Sequence, residues 1–438
     1  MFQITQKAAP YIDLLRDNRN FRLLWWSQVV SNFGDWFGIL AVYALIQQYS
    51  GSEFLLGLII VVKMLSLALF SPLAGYITDR FNRRRLMVWC DILRGVIVLG
   101  FLLIVSAGTL WLAYLLTALQ MMLSAIFQPA KTSSIPNVTS DDELVHANIL
   151  SAASWSVIFT SGMALGGVAT SFLGTDLVFV INSISYLYSG WVIWKAVVPQ
   201  ETMSPEERNR TRNPLTGIRE GFDYLLSNRS VLRPVLAKGF MTSCLGALVY
   251  LLIIIAEEIL LMGSMGLGLL YAARGIGTGI GPVMGRRLFR KESSWIRAMG
   301  FCMICCGVFY LPLAFSSSLW VMFGLVTIAH MASGANWVMS TVLLQRRSVD
   351  TYRGRAFSTE WLLFTLAQSV SVTFASLMLE LDLLTVREAT GLFALLLMVA
   401  GLFWLVRIAP AESSPVQPSG TESREAGANG LPYEALRE

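Results

Sequence analysis

A few charged residues of this 438-residue chain stand inside long apolar runs, where a charge is costly and is usually kept for work. Asp35 lies in Asn32-Phe-Gly34-Asp35-Trp36. Counted from Arg22 at 1.5 Å per residue, it sits roughly 20 Å into a hydrocarbon layer of about 30 Å. A carboxyl group there can take up and release a proton, or hold a cationic group. It can equally be a packing residue hydrogen-bonded to neighbouring helices or wetted by an outer vestibule. Lys63 falls near the middle of the next run, and Arg274 about a third of the way into a later one. Either could pair with Asp35 or bind an anionic group such as a phosphate or catecholate. Snorkelling is the plainer alternative, although Lys63 is central for it. Asp91 and Arg94 are three residues apart, so they share a helical face and suit a structural ion pair. Asn182, Asn336 and Gln368 are polar mid-run residues that fit interhelical hydrogen bonds as well as substrate contact. Lys238 reads as a snorkelling residue, and Glu257 and Glu258 as solvated rim charges.

Enzyme chemistry finds little support. The two histidines, His146 and His330, are too few for a multi-histidine metal site. The five cysteines, Cys90, Cys244, Cys302, Cys305 and Cys306, all lie in apolar segments and read as packing thiols. Gly275-Ile-Gly277-Thr-Gly279-Ile-Gly281-Pro282 has neither the strand nor the Lys-Ser/Thr of a phosphate loop, so it reads as a surface for close helix contact. No Walker motif occurs, which leaves ion coupling or facilitated diffusion as energy sources. No metal and no cofactor is expected.

The elements that must position these residues are apolar helices. Of the residues, 55% are hydrophobic and only 14% charged, against roughly 25% charged in a soluble domain. The net charge of +5 does not point to nucleic acid, because the basic residues sit in turns between apolar runs. Twelve runs are long enough to span: 22–48, 53–78, 85–106, 110–134, 145–170, 175–197, 230–257, 264–288, 295–315, 319–344, 355–379 and 387–408. Arg and Lys concentrate in alternate turns: Arg16 to Arg22, Arg80 to Arg85, Lys131, Lys195 to Arg233, Arg286 to Lys291, and Arg346 to Arg355. The opposite turns are short and nearly free of positive charge, Arg387 excepted, which predicts cytoplasmic termini.

The long polar segment splits the runs six and six. The expected order is a cytoplasmic N-terminus (1–21), a six-helix bundle (22–197), a linker (198–229), a second bundle (230–408) and a disordered tail (409–438). In the linker, Leu215, Ile218, Phe222, Leu225 and Leu226 form one apolar helical face, which would lie on the membrane or pack on the cytoplasmic helix ends. An offset of 210 maps Asn18-Arg19 onto Asn228-Arg229, Pro72 onto Pro282 and Gly75 onto Gly285. Asp79 maps onto Phe289, so the second copy lacks that carboxylate.

The turn Gly75-Tyr-Ile-Thr-Asp79-Arg80-Phe-Asn82-Arg83-Arg84-Arg85 is too basic for hydrocarbon and must lie at a membrane surface. Its spacing, G-x-x-x-D-R-x-x-R-R, resembles the loop between helices 2 and 3 of major facilitator superfamily transporters. Asn82 stands where the family often has Gly. The resemblance implies an all-α membrane protein of two pseudo-symmetric six-helix bundles around a mid-bilayer substrate site. It also implies a latch between the halves made by Gly75, Asp79, Arg80, Arg83 and Arg84 near the start of helix 11, to which Glu360 in that helix's first turns is added.

Phe127-Gln-Pro129-Ala-Lys131-Thr through Pro136, Asp142-Glu143-Leu144, Ala147-Asn148 and Arg353-Gly354-Arg355 are similar to a bacterial export branch containing enterobactin exporters, macrolide pumps and lysophospholipid transporters. Gly162-Met-Ala-Leu-Gly166-Gly167 lacks the Pro of drug-antiporter helices 5, so close packing by small residues is its reading. The resemblance implies a monomeric inner-membrane efflux protein with protons, membrane lipid and a small amphiphilic molecule as partners. A lysophospholipid flippase is the alternative, and a non-transporting sensor with the same fold a more remote one.

Overall fold

A computed structural model of the chain describes residues 9–50, 53–200 and 214–412. The linker run 201–213, the first residues of the 1–21 segment and the expected disordered tail from 413 lie outside the described residues. Thirteen α-helices follow in order: α1 Ala9–Asp17, α2 Arg19–Ser50, α3 Glu53–Arg80, α4 Arg83–Leu99, α5 Trp111–Val138, α6 Asp141–Trp194, α7 Pro214–Ser227, α8 Arg229–Ile254, α9 Gly263–Leu288, α10 Trp295–Tyr310, α11 Leu319–Arg347, α12 Asp350–Glu380 and α13 Val386–Phe403. No strand occurs among the described residues.

Local chemistry explains the breaks. Asn82 starts α4 by accepting a hydrogen bond from the Arg85 N–H at 3.0 Å. Ser140 and Glu143 form a reciprocal capping box that starts α6, and Thr385 and Glu388 form another that starts α13. Gly174 has φ +78° inside α6 and breaks it into limbs of 141–173 and 175–194, a conformation that a side chain resists. Prolines 72, 129, 136, 234 and 282 lie within helices that continue past them. Lys131 lies within α5 rather than in a loop, because the helix runs on through Pro136 to Val138.

Ten helical stretches are long and apolar enough to cross a membrane, by length and composition, among the described residues. Residues 141–173 and the 26-residue α9 are two further long helical segments. Large apolar side chains stay outside along these helices, as with Leu69 at 67% and Val399 at 61% exposure. Water would not tolerate so continuous an apolar surface.

Helix starts repeat. Arg19 and Arg229 begin α2 and α8, and Glu53 and Gly263 begin α3 and α9, each 210 apart. Asp141 and Asp350 begin α6 and α12, 209 apart. A core of Phe37, Val98, Phe101, Leu110 and Phe179 fills one end of the first repeat. A larger core runs through the second, from Met241 to Trp404, and continues across the seam to Phe21, Met87 and Phe127. Gly162 and Gly166 bring α6 against the α2 backbone, and Gly277 and Gly281 bring α9 against α11.

One expectation needs correction at the termini: the tail expected to be disordered from 409 begins with an ordered turn through Glu412. Glu412 pairs with Arg233 and, at 2.6 Å, with Arg347. The N-terminal segment contains α1, whose Leu14 is buried and whose Tyr11 meets His146 edge-on at 5.3 Å.

Candidate functional site

The Arg-rich turn closes one end of the seam between the repeats. A Cβ on Gly75 would lie 2.8 Å from the Arg355 Cα, so only glycine lets α3 meet α12 this closely. That approach delivers Asp79 to the start of α12. Its Oδ1 accepts from the Gly354 N–H at 2.7 Å, and its Oδ2 from the Arg355 N–H at 3.0 Å and Nε at 3.1 Å. Arg83 reaches the same turn, bonding the Asp350 carboxylate and carbonyl at 2.6 Å each, with Asp79 at 3.4 Å. Arg353 bridges Asp350 at 2.7 Å and Asn137 at 3.1 Å. Asp79, Arg83, Asp350 and Arg355 are almost wholly buried, so each charge depends on its partners. Ser71 also donates to the Ser358 carbonyl at 2.8 Å, and Asn148 to Gln345 at 2.7 Å. The hydrogen bonds described between the repeats all join residues 71–83 or 132–148 to 345–358.

The three other residues expected in this contact have partners of their own. Arg80 donates to the Tyr76 hydroxyl at 2.7 Å. Arg84 donates to the Ala196 carbonyl at 3.2 Å, within its own repeat. Glu360 pairs with Lys238 of α8 at 2.7 Å. Lys238 therefore does not snorkel: it is buried, donates to Thr341 at 2.7 Å and lies over the Trp337 ring at 4.0 Å. Removing the ammonium alone strands a buried carboxylate. Lys238→Met is expected to cost about 3–5 kcal/mol of stability, with Lys238→Met/Glu360→Gln recovering most of it. Thermal unfolding of the two purified variants checks this.

The linker helix packs on the closed end. Gly217 and Gly221 of α7 lie against Tyr76 and Arg355, and Leu225 is buried. Arg355 donates to the Gly217 carbonyl at 3.4 Å and pairs with Glu220 at 3.5 Å. Tyr224 stacks on Tyr352 at 4.7 Å and accepts from the Val349 N–H at 3.2 Å. Burial raises its hydroxyl above the usual range, the Val349 bond pulling the other way, so it stays neutral at physiological pH. The buried face is thus Gly217, Gly221 and Leu225, while Leu215 and Leu226 are exposed.

Deeper in the first repeat, Asp35 is half-buried and accepts from the Tyr186 hydroxyl, with Gln120 Nε2 at 3.5 Å. Gln120 also donates to that hydroxyl at 2.8 Å. Arg94 lies under the Tyr186 ring at 4.6 Å and pairs with Asp91, which also accepts from Ser189 at 2.6 Å. The Asp91–Arg94 pair thus connects through Tyr186 to Asp35. Neither Lys63 nor Arg274 pairs with Asp35. Lys63 stands over Trp36 at 5.7 Å, and Arg274 over Tyr271 at 5.4 Å. Between them, Trp36 meets Phe159 at 4.7 Å, Trp155 stacks on Phe159 at 5.4 Å, and Phe159 meets Tyr271 across the seam at 6.3 Å.

Asn182 is buried and occupies the notch beside Gly34 and Gly38. Asn336 is 1% exposed, and its side-chain oxygen has no hydrogen-bond partner among the described residues. Both sit inside helix contacts. Outside, a groove of about 480 Å³ between α8, α12 and α13 is lined by Phe240, Cys244, Ser371, Phe374, Phe393 and Phe403.

Sequence reasoning missed Tyr186, Gln120, Asp350, Asn137 and the glycines by which α7 packs, although packing of that helix on the helix ends is one of its two readings. Tyr186 and Gln120 read as ordinary members of apolar runs, and only the 151-residue separation closed by folding makes Tyr186 a partner of Asp35.

Comparison with known proteins bears on the fold and the family. A family profile described as Major Facilitator Superfamily matches residues 24–372. The uncharacterized MFS-type transporter YfiS of Bacillus subtilis is 28% identical over 53% of this chain and 54% of its own length. The chain thus spans about half the length of that relative. The putative bacilysin exporter BacE of Bacillus subtilis is 24% identical over 88% of this chain and 93% of its own length. The lysophospholipid transporter LplT of Pectobacterium carotovorum is 29% identical over 38% of this chain and 39% of its own length. The crystal structure of the human organic anion transporter MFSD10 superposes with a TM-score of 0.73 at 15% identity, covering 89% of this chain and 99% of that one, which speaks to fold alone.

Proposed function

We propose that this chain, which belongs to the Major Facilitator Superfamily, is a proton-coupled efflux transporter of the cytoplasmic membrane that moves a small amphiphilic organic molecule by alternating access. Twelve spans, in two bundles at 22–197 and 230–408, place both termini in the cytoplasm. The ten apolar helices, with 141–173 and α9 as the other two spans, support that count. The single observation that carries the reading is the one-sided seam: the described hydrogen bonds between the repeats gather at the arginine-rich end, whereas Asp35, Lys63 and Arg274 deeper in stay half-exposed. Under the positive-inside assignment the closed end is cytoplasmic, and the state is outward-open.

In this mechanism Asp79, Arg83, Asp350, Gly354 and Arg355 latch the outward-open state. Proton uptake at Asp35 breaks or weakens its bond to Tyr186 and is felt through Arg94. Substrate exchange and seam opening follow as population shifts between two packings. BacE's name as an exporter supports the direction.

Purified protein in proteoliposomes tests the reading. Efflux into the acidic compartment should rise with an imposed pH gradient and stop when the gradient is collapsed. Flux indifferent to that gradient would remove the coupling.

The second reading is a lysophospholipid flippase, favoured by the LplT likeness and by the apolar groove of about 480 Å³ that faces outward between α8, α12 and α13. Accumulation of labelled lysolipid in inverted vesicles distinguishes it. A non-transporting sensor would move no solute and would retain a cytoplasmic partner on α7.

A further inference from the structure

Among the described residues, three carboxylates buried or half-buried within the helices are occupied. Asp35 is held by Tyr186, Asp91 by Arg94 and Ser189, and Glu360 by Lys238. Lys63 and Arg274 are different: neither has a carboxylate within ion-pair distance among the described residues. Both are half-buried, and so are Trp36, Phe159 and Tyr271, which run between them. A cation that is partly desolvated and rests on a ring face is only partly neutralised by it. Two of them stand at opposite ends of one ladder of half-buried rings, with no carboxylate paired to either among the described residues.

We propose that the ladder Lys63–Trp36–Phe159–Tyr271–Arg274 binds an organic anion with a flat aromatic body, its anionic group held by one of the two cations. This rests on the transport reading above and names the substrate class of that site. The physical case has three parts. An anion can pair directly with a cation that has no ion-pair partner among the described residues, Asp35 acting on Lys63 only from beyond ion-pair distance. An aromatic body packs among half-buried rings that already meet, Trp36 edge-on to Phe159 at 4.7 Å and Phe159 tilted against Tyr271 at 6.3 Å. The two ends are also chemically unlike. Lys63 offers a compact point charge, whereas Arg274 offers a planar fork suited to bidentate binding of a carboxylate or phosphate. Lys63 and Trp36 belong to the first repeat, and Tyr271 and Arg274 to the second, so a molecule engaging both ends spans the seam that must move. An organic cation is disfavoured by the same charges.

The test uses three isosteric probes: naphthalene-2-carboxylate, naphthalene-2-carboxamide and 2-naphthylmethylammonium. Binding to the full chain in lipid nanodiscs is measured by calorimetry. The carboxylate should bind about tenfold or more tightly than the carboxamide, the scale of one charge-assisted bond. Lys63→Gln or Arg274→Gln should remove most of that preference, while Lys63→Arg and Arg274→Lys keep it and show that the site still folds. Equal affinity for carboxylate and carboxamide overturns the proposal. So does preference for the ammonium, binding of none of the three at millimolar concentration, or an anion affinity untouched in both Gln variants. Flux of the same probes in proteoliposomes separates the two readings. Transport of the ammonium without the carboxylate leaves a transporter and removes the anion site; selective anion binding without any flux does the reverse.

Discussion

Asp79→Asn is expected to slow efflux by about tenfold or more while the purified protein stays folded and monodisperse. Asparagine keeps an oxygen for the Gly354 N–H but loses the charge that faces Arg83 and Arg355. Those guanidiniums keep other acceptors, Asp350 for Arg83 and Glu220 with the Gly217 carbonyl for Arg355, so neither is left bare. The loss therefore falls on the closed-end packing and not on the bundle cores. A charge-assisted bond is worth about 1.5–3 kcal/mol, enough to move a two-state population roughly ten- to a hundredfold. The step into the outward-open state rises by that amount. Gly354→Ala should act alike without altering any charge, because its Cβ would lie 2.5 Å from the Asp79 carboxylate. Initial rates in proteoliposomes decide the matter, and parental rates in both variants would remove the latch.

Asp35→Asn is expected to abolish dependence on the pH gradient. With one proton exchanged per substrate, one pH unit sustains about a tenfold concentration ratio, and the variant should fall to a ratio of about one. The Tyr186 and Gln120 donors can still bond an amide oxygen, so local structure is preserved. What is lost is the proton-exchanging site and its link through the Tyr186 ring to Arg94. Downhill flux should survive. Undiminished proton-driven accumulation would place the coupling elsewhere, with the buried Lys238–Glu360 pair next in line.

Much of the architecture is legible in the residues. The Asn-Arg pairs at 18 and 228 announce helix starts that recur 210 residues apart, and Gly75 with Asp79 announces a close approach of two helices. These signals are local: caps, charges at membrane surfaces and a glycine where a backbone must pass. The partners are not local. Lys238 stands nine residues past the start of α8, where snorkelling is a fair reading until Glu360 arrives from α12, 122 positions later. Glu360 for the same reason is drawn to the wrong arginines by sequence proximity to the helix start. The hydrophobic face of the linker misleads differently. Leu215 and Leu226 look like the packing surface, but Tyr76 and Arg355 need space, and only the glycines at 217 and 221 provide it.

The most direct test of alternating access at this seam is a reversible bridge at the closed end. Asn148 and Gln345 bond across it at 2.7 Å and belong to neither the Asp79 cluster nor the aromatic ladder. With the five native cysteines replaced, efflux by Asn148→Cys/Gln345→Cys is measured before bridging with a short bis-thiosulfonate, after it, and after reduction. Transport should stop on bridging and return on reduction. Undiminished efflux with the bridge fully formed would contradict the account.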